Sequence, residues 1–285
     1  MEVAMSAESE TTTRPHRSGE EVLHDDFTGP LSVGGPTSRW RLRPVPGFPA
    51  GDGAPVTGEG GLTVVPTGTD PGTGEPAFAD PPQPLSETDH LRWALMANRD
   101  TPAGLPGFAV PAGGFTLRAE LAVRAYGLDR HPYGDAVADP RRDLRLGASA
   151  LICMDRETGM VFDFIVTDRC VFAVYERLAF PPHTYGGFSF AVPVRDREPG
   201  DVHDLALRYD ADRRTAHWYV GDDEVLTVDR IGHRVLDPGY ALRDNGRPAE
   251  SAAPRQLTVG LALFADRIWG QGVRLDVRRL TAYRD

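Results

Sequence analysis

The sequence predicts an all-β chain, folded as an antiparallel β-sandwich of the jelly-roll kind. Three observations carry that reading. Short segments rich in β-branched and aromatic residues, about ten or more at roughly 8–12-residue spacing, alternate with turns rich in Gly, Pro and Asp. No long stretch shows the 3.6-residue apolar period of an amphipathic helix. No fixed-period repeat stands out, which argues against a propeller or a solenoid. At 285 residues and 40% hydrophobic content, the chain is long enough to bury one large β core.

Taken in order, residues 1–21 are polar and read as a disordered tail, with a single jelly-roll domain over 22–285. Order is expected to begin at 22–27, and Arg39-Trp40-Arg41-Leu42 gives a second short alternation. Residues 44–61 are dominated by Pro and Gly and predict an irregular excursion. Residues 61–66 form a short strand closed by Pro66, and a Pro/Gly-rich loop spans 66–84. Residues 90–98 fit a helical turn or an irregular strand equally well. Residues 115–126 alternate cleanly, with Phe115, Leu117, Ala119, Leu121 and Val123 on one face. The loop 127–146 precedes a meander over 151–178, three strands joined at 155–159 and 167–169, with Gly159 free to take φ > 0. A strand at 188–194 follows. Residues 205–209, 215–220 and 225–228 read as hairpins with Asp- and Gly-rich turns. Residues 232–255 are polar and irregular, and strands at 256–264 and 273–283 close the chain.

Composition narrows the partners. All 31 basic residues are arginine, a pattern that high-GC bacterial coding produces, as in actinomycetes. The net charge of −10 argues against nucleic acid or an anionic membrane, both of which need a basic surface. The N-terminal stretch lacks the apolar core of a signal peptide, and no run approaches the roughly 18 apolar residues of a membrane span, so a cytoplasmic location is expected. Cys153 and Cys170 sit in apolar strands and read as buried structural thiols, a cross-strand disulfide being the alternative. No GxSxG, HExxH, P-loop, CxxC or GxGxxG motif occurs, so neither a cofactor nor a metal is predicted. Asp210/Asp212 and Asp222/Asp223 read as turn formers rather than calcium ligands.

The opening HDDF…RW, the hairpin strands HDLALRYD and AHWYVGDDEVL, and the closing strand VRLDVRRLTA together resemble the concanavalin A-like lectin/glucanase superfamily over roughly residues 22–285. The resemblance implies a jelly roll in which the first segment pairs with the last strand. The central meander is also similar to actinobacterial proteins of this fold linked to natural-product pathways. Glycosidases of the superfamily carry E-x-D-x-E on one strand, which puts two acids on the same face. The corresponding strand here reads Val161-Phe162-Asp163-Phe164-Ile165, with a single acid. That departure argues against retaining hydrolysis by the familiar motif and leaves a pair from separate strands, Asp163 with Glu120 or Glu176.

A carboxylate in an apolar sheet costs free energy unless it is paired or faces water. Asp163 is therefore expected on a wet face or paired with Arg177 or Arg118. If the meander and the later hairpin share one open face, Asp163, Tyr175, Arg177, His217 and Tyr219 project together, with Arg118 and Glu120 alongside. Trp218, Val220, Phe162, Phe164 and Val166 then form the packed face. In that arrangement Asp163, His217 and Tyr175 are the catalytic candidates, since a His–Asp pair permits acid–base chemistry. Arg177, Tyr219, Arg118 and Glu120 are the substrate-binding candidates. His131, Tyr133, His183 and Tyr185 join them from loops at the mouth of the sandwich. The same residue types also serve as ordinary cross-strand pairs on half-exposed sheets. Three functions follow: a cofactor-independent cyclase, isomerase or lyase of natural-product metabolism; a carbohydrate-active hydrolase, lyase or sugar-binding module; or a noncatalytic interaction domain. The ligand is a small molecule or a glycan, and the oligomeric state is left open.

Overall fold

A computed structural model describes residues 19–80, 90–179 and 185–285. The early strands are β1 (Glu20–Asp25), β2 (Trp40–Leu42), β3 (Ala54–Gly58), β4 (Gly61–Val65), β5 (Gly68–Thr69), β6 (Pro76–Ala77), β7 (Leu91–Ala97) and β8 (Phe108–Ala109). The long strands are β9 (Phe115–Tyr126), β10 (Ala148–Met154), β11 (Met160–Val166), β12 (Cys170–Arg177), β13 (Phe188–Asp196), β14 (Val202–Asp210), β15 (Thr215–Val220) and β16 (Asp223–Val228). Then come β17 (Ala241–Asp244), β18 (Gln256–Phe264) and β19 (Gly272–Arg284).

Two antiparallel sheets contain nearly all of them. An eight-stranded sheet runs β16-β15-β14-β9-β19-β4-β3, with β1 also paired to β19. A nine-stranded sheet runs β17-β13-β12-β11-β10-β18-β7-β2, with β8 on β18. This is a jelly-roll sandwich, and its first strand pairs with its last, as the resemblance implies. The inner faces meet in one core built from alternate residues of both sheets. Leu117, Leu205 and Trp218 come from the eight-stranded sheet, and Trp93, Phe162, Phe164 and Tyr175 from the nine-stranded sheet. Phe162 is the hub. It stacks on Tyr209 at 5.7 Å between ring centroids and on Tyr175 at 6.4 Å, and meets the Trp218 ring edge-on at 6.0 Å.

The fold settles or revises local expectation in several places. The disorder expected over 1–21 lies outside the described residues for 1–18, but Glu20 and Glu21 already pair with Arg284 and Tyr283. The Pro/Gly-rich excursion 44–61 contains β3, which tolerates Pro55 because it is a sheet edge paired to β4 alone. Residues 91–97 resolve as a strand, since pairing of β7 with β18 sends Trp93 and Leu95 into the core. The polar 232–255 stretch supplies β17, an edge strand on β13. Cys153 and Cys170 are both buried and unpaired, and burial pushes the Cys170 thiol up to about 11. No helix among the described residues is long and apolar enough to cross a membrane.

Candidate functional site

Asp163 occupies an opening in the central sheet. The β10–β11 ladder pairs Leu151 with Phe164 and Met154 with Val161, and between those pairs it parts. The Asp163 side chain fills the gap on one side: the Cys153 N–H donates to its Oδ1 at 2.8 Å. The Trp218 indole fills it from the other, donating across the core to the Asp163 carbonyl at 3.0 Å. Backbone groups that lose ladder partners must find others, and here a carboxyl and an indole supply them.

Register then fixes what surrounds it. Asp163 lies directly opposite Val174, so it shares the outer face of the nine-stranded sheet with Phe172, Val174 and Glu176. One row across that face reads Thr258, Met154, Val161, Glu176, Ser189, Arg243. The next-but-one row reads Ala94, Ala262, Ala150, Ile165, Phe172, Pro193. The floor is therefore small and apolar, polar along one margin, and flanked at the β7–β18 end by Phe264 with His90 packed on its ring at 5.1 Å.

Glu176 is the diagonal neighbour of Asp163 and the second acid on this floor. Its Oε1 accepts from Arg243 at 2.8 Å, and its side chain is 17% exposed, against 8% for the Asp163 residue. Burial pushes the Asp163 carboxyl well above the ordinary carboxylate range; the Cys153 bond opposes this and the Glu176 charge adds to it. Burial also raises Glu176, and the Arg243 guanidinium offsets only part of that rise. The two acids thus differ in what favours their charge: one is sealed and prefers its proton, the other has a cation beside it. Among the described residues no cluster of three or more His, Cys, Asp or Glu is arranged to hold a metal ion.

The structure does not bring the sequence-predicted set together. Tyr175 points into the core, where its hydroxyl accepts from the Gly232 N–H at 2.7 Å and burial raises its pKa. Arg177 is buried at the end of β12, donating to the Glu250 carbonyl at 2.6 Å with its guanidinium 3.9 Å from the centroid of the Tyr185 ring. His217, Tyr219, Arg118 and Glu120 sit on the outer face of the eight-stranded sheet, across the whole sandwich from Asp163. There Arg118 is committed to Asp204 through two hydrogen bonds, and Glu120 to Arg278 and Arg279. His131 and Tyr133 form a loop cluster of their own, Tyr133 lying edge-on to Trp269 and facing the Arg145 guanidinium at 4.9 Å. His183 lies outside the described residues. Within the set, the His217 and Tyr219 rings stack, and the Arg177 guanidinium lies over the Tyr185 ring. Of the acids weighed as a partner for Asp163, Glu176 shares its face and Glu120 does not.

A model described as a family of unknown function, DUF6081, matches residues 24–284. The chain belongs to that family. A curated relative, the uncharacterized protein L829 of Acanthamoeba polyphaga mimivirus, is 27% identical over 43% of this chain, and the match spans 41% of that protein's length. Solved structures of similar architecture include LamAcat from Zobellia galactanivorans (TM-score 0.48, 10% identity, 93% of this chain and 98% of that one). Another is alginate lyase A1-II', a member of polysaccharide lyase family 7 (TM-score 0.42, 12% identity, 78% of each chain). A third is the Bacillus licheniformis beta-glucanase (TM-score 0.46, 9% identity, 94% and 100%). These neighbours are concanavalin A-like jelly rolls. For DUF6081 the likeness concerns architecture, and any chemistry has to be argued from its own residues.

Proposed function

We propose that this DUF6081 chain is a carbohydrate-active protein whose ligand lies across the outer face of the nine-stranded sheet, with Asp163 and Glu176 as its acid pair. The observation that carries the reading is two carboxyl groups on adjacent strands of one face, both raised by burial, of which only Glu176 has a cation beside it. A protonated acid beside a carboxylate held by a cation is the pairing general acid–base work uses. Asp163 is the proton-holding acid and Glu176 the carboxylate that accepts a proton, oriented by Arg243.

A second reading rests on the apolar floor. The row Ala94, Ala262, Ala150, Ile165, Phe172, Pro193 offers no hydrogen-bonding side chain and suits a flat apolar small molecule better than a sugar. A cofactor-independent cyclase, isomerase or lyase would use the same two acids. One experiment separates the readings. The chain is incubated with a panel of neutral β-glucan and uronan oligosaccharides, and new reducing ends and unsaturated uronic-acid absorbance are followed. Turnover that falls about a hundredfold or more in Glu176→Gln and Asp163→Asn supports the carbohydrate reading. No turnover and no binding across the panel removes it and leaves the apolar one.

A further inference from the structure

The opposite face of the molecule carries a separate constellation. In the eight-stranded sheet, Thr215, His217 and Tyr219 alternate outward from β15. Opposite them, a bulge between Trp218 and Tyr219 shifts the β16 register by one residue. The shift sets Glu224 opposite Tyr219 and turns its side chain onto the same face. The Thr215 hydroxyl lies 2.9 Å from His217 Nε2, and His217 Nδ1 lies 3.1 Å from Glu224 Oε2. The Tyr219 hydroxyl donates to that same oxygen at 2.8 Å, and Thr227 donates to Glu224 Oε1 at 2.6 Å. Burial alone would raise the Glu224 carboxyl, but the bonds from Thr227, Tyr219 and His217 outweigh it and hold the group below its usual value. An ionised carboxylate accepts only, so it fixes the tautomer with the proton on Nδ1 and turns the Nε2 lone pair toward the Thr215 hydroxyl.

We propose that Thr215, His217 and Glu224 act as hydroxyl nucleophile, general base and positioning carboxylate in transferring the acyl group of a small ester to water. The geometry is the nucleophile–base–orienter chain that such chemistry needs. Thr215 Oγ1 attacks the ester carbonyl carbon and its proton passes to His217 Nε2. The acyl C–O bond to the alcohol breaks, and the alcohol leaves with that proton. Water then attacks the acyl-threonine, giving its proton to His217; the carboxylic acid departs and Thr215 regains its hydrogen. Arg208, directly opposite His217 in the ladder, is already held by Asp285 and Asp210, and no oxyanion donor is assigned. The site is open to solvent, the His217 side chain being 18% exposed and that of Glu224 47%.

The test uses the full chain with p-nitrophenyl acetate, reading p-nitrophenolate release and the mass of the peptide containing Thr215. The parent is expected to hydrolyse the ester above the buffer rate and to carry an acetyl group on Thr215. Thr215→Val should lower the rate about tenfold or more, while Thr215→Ser keeps it. Glu224→Gln should lower kcat with KM unchanged while its thermal unfolding midpoint stays at the parent's, which separates loss of the positioning carboxylate from loss of folding. A parent rate equal to buffer, an acetyl group found elsewhere, or a Thr215→Val rate equal to the parent's each overturns the proposal. Should Thr215→Val fail to fold, the Thr215→Ser and Glu224→Gln pair decides in its place.

Discussion

At the scale of the residue, Asp163 shows how one carboxyl can be both structural and reactive. It closes a gap in the β10–β11 ladder while facing a floor that it shares with Glu176. Its folded-state pKa is raised by burial, so the native state holds the proton more tightly than the unfolded chain does. Its contribution to stability is therefore full below the unfolded pKa of about 4 and is lost as pH rises through the higher folded value. Asparagine can still accept from the Cys153 N–H and cannot ionise. Asp163→Asn should thus gain on the parent in urea-unfolding midpoint as pH rises from about 4 to 8. A difference constant across that range would show that Asp163 is not held protonated. The residue was legible as an oddity in the sequence, an acid alone in an apolar strand. Its face was open to a parity argument: the tight turn at 167–169 pairs Val166 with Val171 and so Asp163 with Val174, which puts Tyr175 and Arg177 on the other side.

At the scale of the element, turns and edges decide what composition leaves open. The alternation of β9 and the apolar run of β11 are strong enough to read directly. β3 is hidden behind Pro and Gly because its place at a sheet edge relaxes the usual exclusion of proline. β7 carries apolar residues on both faces, so period alone cannot separate strand from helix. The β3–β4 hairpin depends on Gly61, which has φ +98° and would set a Cβ only 2.1 Å from the Val277 carbonyl oxygen of β19. Gly61→Ala should cost more than about 1 kcal/mol, from the backbone conformation and the clash together. Thermal unfolding measures it, and a midpoint within error of the parent's would contradict the hairpin geometry. The bulge that turns Glu224 toward His217 left no signal in the sequence, since one extra residue in a strand changes parity without changing composition.

At the scale of the whole molecule, the sandwich has two outer faces of different character. The eight-stranded sheet presents paired charges, with Arg118 on Asp204 and Glu120 on Arg278 and Arg279. The nine-stranded sheet presents a largely apolar floor with two acids. Fold class and inner face were readable because strands such as β9 alternate apolar and polar residues while β10 and β18 are near-continuous apolar runs between turns. Which strands share a sheet was not, since that depends on pairings between segments far apart in sequence, such as β9 with β19. Combining Asp163 with His217 required one sheet where the chain builds two. The account's central claim is that the outer face of the nine-stranded sheet binds the oligosaccharide. Backbone NMR of the chain, titrated with the oligosaccharide from the panel that binds most tightly, tests it most directly. The account predicts shift changes concentrated at Val161, Ile165, Phe172 and Glu176 and weakened in Glu176→Gln. Changes concentrated instead around Arg118, His217 and Tyr219, or an absence of change at saturating ligand, would contradict it.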